Sequence, residues 1–550
     1  MLSIFFYSFC TLFLYSTFGF FIKKKTEANN TYFTDLVIYG IITISFIALV
    51  INFFAPLSKN INSLLFIPCL LIFIKFREQL NTKKFYSFLL FGSFLSTILL
   101  FASHTYRPDA GLYHLPFVNI LNEEKIIFGL TNLHFRYGHT SILQYLSAIN
   151  LNIFFGINGI VIPSALIAST IIINFLIKFR NAVENNNYDF HFFYILSILI
   201  YIFFKMNRYS EYGNDAPAHF ITFYLFSEYL NSNKKINLKK ILNLSILSVF
   251  IVLNKFTLVG VLLLPLILLI KNNLISISIL KKFKFYFILL FGILWLFKNI
   301  IISGCIIFPI HSTCIEKIKW TNIISVKKIS IENEAFSKNW PSYKNRISTT
   351  QQEYIKNFNW VNTWLKKFTN EQREKLFAFI LLLLTIYILL IFKSENVKKH
   401  HNPKMMTLTS ILIFLTTIWF LKTPDYRYAY SIIVSLVSIP FAYLLSKRKF
   451  NSTSNKLFFS LIFIFFLAFL LKNFNRIIFT EKYLNYPFPR YNSHNNDNKK
   501  VLLNFKMING KKIFIQKEGY CMYSKAPCTP YEINIEIIKK NGFLFFLKKV

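Results

Sequence analysis

The chain has 550 residues, 54% of them hydrophobic and 19% aromatic, and a mean hydropathy of +0.45, which excludes an ordinary soluble domain and points to an integral membrane protein. Its formal charge of +38 would suggest nucleic acid in a soluble protein. Here most short basic runs lie between apolar segments, where they set orientation and meet anionic headgroups, so membrane lipids are expected as partners and nucleic acid is not.

Apolar runs in chain order predict about fourteen helices. Residues 1–103 hold four, at about 2–22, 36–55, 61–76 and 86–103. The first has no basic start and no small-residue cleavage site, and Lys23, Lys24 and Lys25 follow it, so it reads as a span and not a removed signal peptide. A polar loop, 104–157, comes next and ends in an ambiguous apolar piece at 140–156. Residues 158–302 carry six more runs, at about 158–178, 191–206, 217–230, 241–254, 256–270 and 285–302. A large loop at 303–375 precedes the last four, at about 376–392, 405–421, 428–446 and 457–471. The tail, 472–550, loses spanning hydrophobicity and shows strand-like runs with turn signals at Asn509-Gly510 and Asn541-Gly542. The expected fold class is an all-α polytopic membrane protein of 13–14 transmembrane helices with a small extracytoplasmic C-terminal appendage.

Charge decides how 140–156 is treated. If it lies along the interface without crossing, 25 cations from Lys23 to Lys456 collect in the loops of one face, which positive-inside makes cytoplasmic. The loops 104–157, 207–216, 303–375 and 422–427 and the tail then all face outward. Four of the six cysteines fall there as two close pairs, Cys305/Cys314 and Cys521/Cys528, which are disulfide candidates in an oxidising compartment. Cys10 and Cys69 lie in spans, where a thiol acts as a small apolar group.

Ionisable groups at a membrane boundary are functional candidates. Asp109, in RPDAGLYH, is a carboxylate able to take a proton from a hydroxyl or hold a divalent cation, or a helix N-cap. His114 follows it, and His104, His134 and His139 share the loop with Arg107 and Arg136. A metal at Asp109 and His114, or a phosphate, is a reading for these groups; hydrogen-bonded interfacial histidines are the plainer one. Glu211 and Asp215 form a second acidic group beside Pro217. Arg427, among tyrosines at 424–430 (PDYRYAY), is suited to a phosphate, or to snorkelling in an aromatic belt, or to pairing with Asp425.

Asp109 with Tyr113 and His114, GLTNLH at 129–134, RYGH at 136–139, KNIIISG at 298–304 with Phe308-Pro309, PDYRYAY at 424–430 and PCTPY at 527–531 together resemble an uncharacterised family of polytopic bacterial membrane proteins. That family in turn resembles the GT-C membrane glycosyltransferases. The resemblance implies many spans in a bacterial plasma (inner) membrane, a catalytic acid in an outer loop, and a polyprenyl-phosphate-linked sugar as donor to an envelope glycan, lipid or protein. By it Asp109 would be base or metal ligand, with magnesium or manganese as the candidate ion, and Glu211 or Asp215 a second acid. Tyr113, His114, His134, Arg136, Lys298 and Arg427 are then the expected substrate-binding residues. Two other classes stay open: a transporter or flippase of lipid-linked or small anionic substrates, and an envelope polysaccharide polymerase or ligase.

Overall fold

The computed structural model describes residues 2–23, 32–102, 109–206, 209, 213–231, 236–274, 277–396, 403–451, 454–479, 493–494, 499–500, 503–516 and 520–549. Its main helices are α1 (Leu2–Phe18), α2 (Phe33–Phe54), α3 (Phe66–Lys75), α4 (Lys83–Ala102), α5 (Leu115–Glu123), α6 (Ile142–Ile149), α7 (Ile162–Glu184), α8 (Phe190–Phe204) and α9 (Asp215–Leu230). They continue as α10 (Leu238–Asn254), α11 (Leu263–Lys271), α12 (Phe283–Ser303), α13 (Ile323–Ser337), α14 (Val361–Gln372), α15 (Ala378–Ile391), α16 (Pro403–Lys422), α17 (Tyr430–Ser446) and α18 (Ser454–Ile478). Among the described residues, seven helices are long and apolar enough to cross a membrane: α2, α4, α7, α12, α15, α16 and α18, with α7 and α15 each counted together with the turn before it. Shorter apolar helices, α1, α8, α11 and α17, complete the bundle.

Burial divides these helices into a centre and a periphery. The span of α7 is 89% buried and α8 is buried along nearly its whole length, whereas α15 and α18 are each 22% buried. Long apolar helices in which most residues are not buried are stable only in a nonpolar solvent, so the peripheral helices fit a lipid boundary.

Two predicted spans are not uniform helices. The run at 61–76 divides into a capped turn, Lys59–Ser63, and the ten-residue α3, joined through Leu64 and Leu65, whose backbones stay helical. The turn is pinned by Asn62, whose amide donates to the carbonyls of Leu57, Ala148 and Leu151 at 2.8, 3.0 and 2.6 Å. The run at 256–270 begins as a 3-10 segment, Phe256–Leu262, because the extended backbone of Lys255 ends α10. The ambiguous piece at 140–156 forms α6, eight residues long and buried throughout, capped by Ser141 and Gln144. The last predicted helix runs on to Ile478, past the boundary expected at 472.

At the C-terminus, β1 (Asn504–Ile508) pairs antiparallel with β2 (Lys511–Ile515), and β3 (Cys528–Thr529) adds parallel to β2. A second hairpin joins β4 (Ile535–Lys540) to β5 (Phe543–Lys548). Both hairpin turns are the predicted Asn-Gly pairs, with positive φ at Asn509, Gly510, Asn541 and Gly542.

The bundle has two chemically distinct ends. At one, Glu228 accepts from Lys178 and Lys240, each at 2.7 Å, Glu395-Asn396 pairs with Arg448-Lys449, and Asn455 donates to the Val183 carbonyl. At the other, the strands close over the loop that follows α4. Phe128 exchanges backbone bonds with Leu544 and Phe546 at 2.9 and 2.8 Å, and Met522 N donates to the Gly111 carbonyl at 3.0 Å. The Asn132 amide spans the Phe546 and Trp320 carbonyls, which brings the 303–375 loop to the same end.

Candidate functional site

Asp109 precedes a single π-turn, Ala110–His114, that leads into α5, and its side chain does not cap that turn. It faces two cations instead. Arg427 Nη1 lies 3.5 Å from Oδ2, and Arg136 Nη1 lies 4.0 Å from Oδ1.

Each arginine sits on a short 3-10 turn whose backbone is held independently. In Phe135–Gly138, His134 Nδ1 accepts from Arg136 N. In Tyr426–Tyr428, Asp425 caps the turn by accepting from Arg427 N at 3.1 Å and also lies 3.6 Å from Arg427 Nε. Arg427 Nη2 donates to the Tyr428 hydroxyl at 2.8 Å. Behind this turn, two indoles donate to its backbone: Trp364 to the Pro424 carbonyl, and Trp419 to the Asp425 carbonyl at 2.8 Å. Trp364 is in turn packed by Phe368 and Phe420 at ring distances of 5.0 and 5.2 Å.

A second ion pair forms the floor. Asp215, in the first turn of α9, pairs with Lys255, whose ammonium lies 4.2 Å from the Tyr428 ring centre. Below it His219 Nε2 donates to the Arg427 carbonyl at 2.9 Å, so its Nδ1 accepts from Ser431 at 2.6 Å. The rim is open, with the side chains of Asp109, Arg136 and Arg427 about one-third exposed, while Lys255 is 5% exposed. Three carboxylates, Asp109, Asp215 and Asp425, thus face three cations, Arg136, Arg427 and Lys255. The cluster is balanced in charge and able to exchange an internal carboxylate for an external anion.

Tyr113 and His114 flank it. Their rings are 4.1 Å apart, and the Arg136 guanidinium lies 5.6 Å from the Tyr113 ring. Burial holds the His114 imidazole down at about 4, only partly opposed by Asp109 and Asp215, so it is neutral at ordinary pH. The donor set does not suit magnesium or manganese. Guanidinium groups stand at both oxygens of Asp109, His114 Nδ1 is engaged by Gln144, and among the described residues no three His, Cys, Asp or Glu side chains converge.

Other expected residues lie apart from the cluster. Glu211, with His104 and Arg107, lies outside the described residues. His134 is 2% exposed and packs edge-on against Tyr531 of the tail, beneath the rim. Lys298 is fully buried in α12, bonded to Thr140 with its ammonium 3.5 Å from the Trp295 ring centre. Cys305 is joined to Cys314 and Cys521 to Cys528. Sequence reasoning passed over Lys255, Gln144, His219 and the two tryptophans. Lys255 alone left a signal, as the single cation between two apolar runs.

A family described as a domain of unknown function, DUF8201, matches residues 1–434. The chain belongs to the DUF8201 family. The stretch shared with DUF8201 contains Asp109, Asp215, Lys255 and Arg427 and ends inside α17, so α18 and the C-terminal strands lie beyond it. No curated protein and no solved structure matches the chain.

Proposed function

We propose that the protein is a GT-C-type membrane glycosyltransferase, moving a sugar from a polyprenyl-phosphate carrier to a glycan, lipid or protein of the cell envelope at the outer face of a bacterial plasma membrane. The observation that carries this reading is the sharing of Asp109 by Arg136 and Arg427 at the open end of an apolar helix bundle. Guanidinium matches a phosphate as well as it matches a carboxylate, and a carrier phosphate supplies an alternative partner for both arginines. Their transfer to the phosphate frees Asp109 to act as a base.

The acceptor hydroxyl attacks the anomeric carbon from the face opposite the carrier. Its proton passes to Asp109, the bond from the anomeric carbon to the phosphate oxygen breaks, and that electron pair stays on the phosphate. The growing charge meets the Arg427 guanidinium, already held by Asp425 and Tyr428 on a turn that the two indoles anchor, so little reorganisation is needed there as it forms. Lys255, paired with Asp215 beside Tyr428, places a third basic group below the two arginines. The exposed apolar faces of α12, α15 and α16 offer surface for the prenyl chain.

One observation favours a transporter instead: Lys255 interrupts the helical path between α10 and α11 beside an ionisable cluster, as broken helices do in carriers. The deciding experiment uses purified protein in nanodiscs with radiolabelled undecaprenyl-phosphate sugars, wild type beside Asp109→Asn. Transfer to an envelope extract that falls about 100-fold or more in the variant supports the base. Equal transfer by both removes it, and no transfer together with uptake of the labelled compound into proteoliposomes selects the transporter.

A further inference from the structure

Beside the charged mouth, between α5, α6, the start of α7 and the turn at 213–214, lies a cleft of about 20 Å3. Its polar walls are His114, Gln144, Ser147, Ser164 and Asn214, and Val118 and Ile160 are among the apolar ones. That volume admits a single oxygen-sized group, not a sugar ring.

A chain of local bonds fixes what the cleft offers. Gln144 is the third residue of α6, and its Oε1 accepts from Ser141 N at 2.8 Å in the helix-capping box. The amide is thereby oriented, with Nε2 placed 3.1 Å from His114 Nδ1. Nδ1 must accept, so in the neutral imidazole the proton is on Nε2. Nε2 faces the cleft opposite Gly213, where an added Cβ would stand 3.9 Å away. His114 is 6% exposed, and no hydrogen-bond partner of its Nε2 occurs among the described residues. An N–H that opens on a water-sized hollow is satisfied by an oxygen placed there, whether from water or from a ligand.

We infer that this cleft is a subsite for one neutral oxygen substituent of the sugar, a hydroxyl or an amide carbonyl, which accepts a hydrogen bond from His114 Nε2. The inference rests on the carrier-lipid reading of the mouth, to which the Tyr113 ring connects it: that ring lies 4.1 Å from His114 and 5.6 Å from the Arg136 guanidinium. Phosphate on the arginines and one sugar oxygen on His114 are two separated points, which orient the sugar between them.

The test is equilibrium binding to nanodisc protein of radiolabelled undecaprenyl-phosphate glucose, undecaprenyl-phosphate N-acetylglucosamine and bare undecaprenyl phosphate. Wild type is expected to bind at least one sugar-bearing lipid about three- to tenfold tighter than the bare carrier, the range of one neutral hydrogen bond. His114→Asn keeps a partner for Gln144 but is too short to reach the cleft, and should lose that advantage. His114→Gln, which returns a donor near the Nε2 position, should retain it. Equal affinity of wild type and both variants for the bare carrier serves as the folding control. An advantage that survives in His114→Asn, that disappears equally in His114→Gln, or that is absent from wild type overturns the subsite alone. Failure of wild type to bind any of the three lipids overturns the carrier-lipid reading and this subsite with it.

Discussion

Arg136 and Arg427 reach one carboxylate because their backbones, not only their side chains, are pinned. His134 does this for Arg136 from beneath the rim, where it is 2% exposed. Burial, followed by the nearby Arg136 guanidinium, pushes the His134 imidazole down to about 3 from its ordinary 6.5. The folded state therefore holds it neutral, while the unfolded chain takes up a proton as pH falls below about 6.5. Its contribution to stability is full above that value and is lost as pH falls toward the folded value, at up to about 1.4 kcal/mol per pH unit. Thermal unfolding of the nanodisc protein at pH 7.5, 5.5 and 4.5 should show a steeper acid loss for wild type than for His134→Phe. Parallel slopes would mean the imidazole is not the group responsible. Asp109, Arg136 and Arg427 were visible in the sequence as costly groups at a membrane boundary; Gln144 was not, because a glutamine in a short apolar helix carries no charge to attract notice.

Among elements, the C-terminal hairpin is tied to the loop it covers by close backbone contact at Gly129. This residue has φ +67°, and a Cβ there would stand 2.3 Å from the Phe546 carbonyl oxygen and 2.6 Å from Trp320 Cβ. Gly129→Ala meets both a left-handed backbone, costing roughly 1–2 kcal/mol, and a clash with main chain that cannot swing aside. Gly510→Ala, with φ +78° and open space around it, meets the first cost only. Limited proteolysis should cut the tail of Gly129→Ala well before that of Gly510→Ala; equal rates would show that the hairpin is not anchored through this contact. The 303–375 segment acts as another such element. Its Trp364, with Trp419 of α16, anchors the turn bearing Arg427, a role that composition could not suggest because aromatic residues near a bilayer have a simpler use as an interfacial belt.

Across the whole molecule, exposed cations stand at both ends, and orientation in the membrane decides which of them meet the outside. Arg180 and Lys449 are exposed at the end where Glu228 meets Lys178 and Lys240, while Lys344 and Lys540 are exposed on segments that pack at the mouth. With the cation-rich loops cytoplasmic, a membrane-impermeant maleimide should label Lys344→Cys and Lys540→Cys in intact cells, and Arg180→Cys and Lys449→Cys only after permeabilisation. Labelling of Arg180→Cys in intact cells would invert the orientation and remove outer-face chemistry. The native free thiols, Cys10 and Cys69, lie within the helices and set the background.

Properties that add up along the chain were legible in the amino-acid order alone: apolar runs long enough for a bilayer, cations sorted to alternate loops, Asn-Gly turns in the tail, and a concentration of costly charge in 104–139 and 424–430. Such properties depend on local composition and need no partner. The pairing of Arg427 with Asp109 spans 318 positions, and the Lys255 and Asp215 pair is set by a helix break. Those meetings were decided by the tertiary structure, because which cation reaches which carboxylate depends on how turns, caps and buried tryptophans aim them, and a sequence records the charges without their directions.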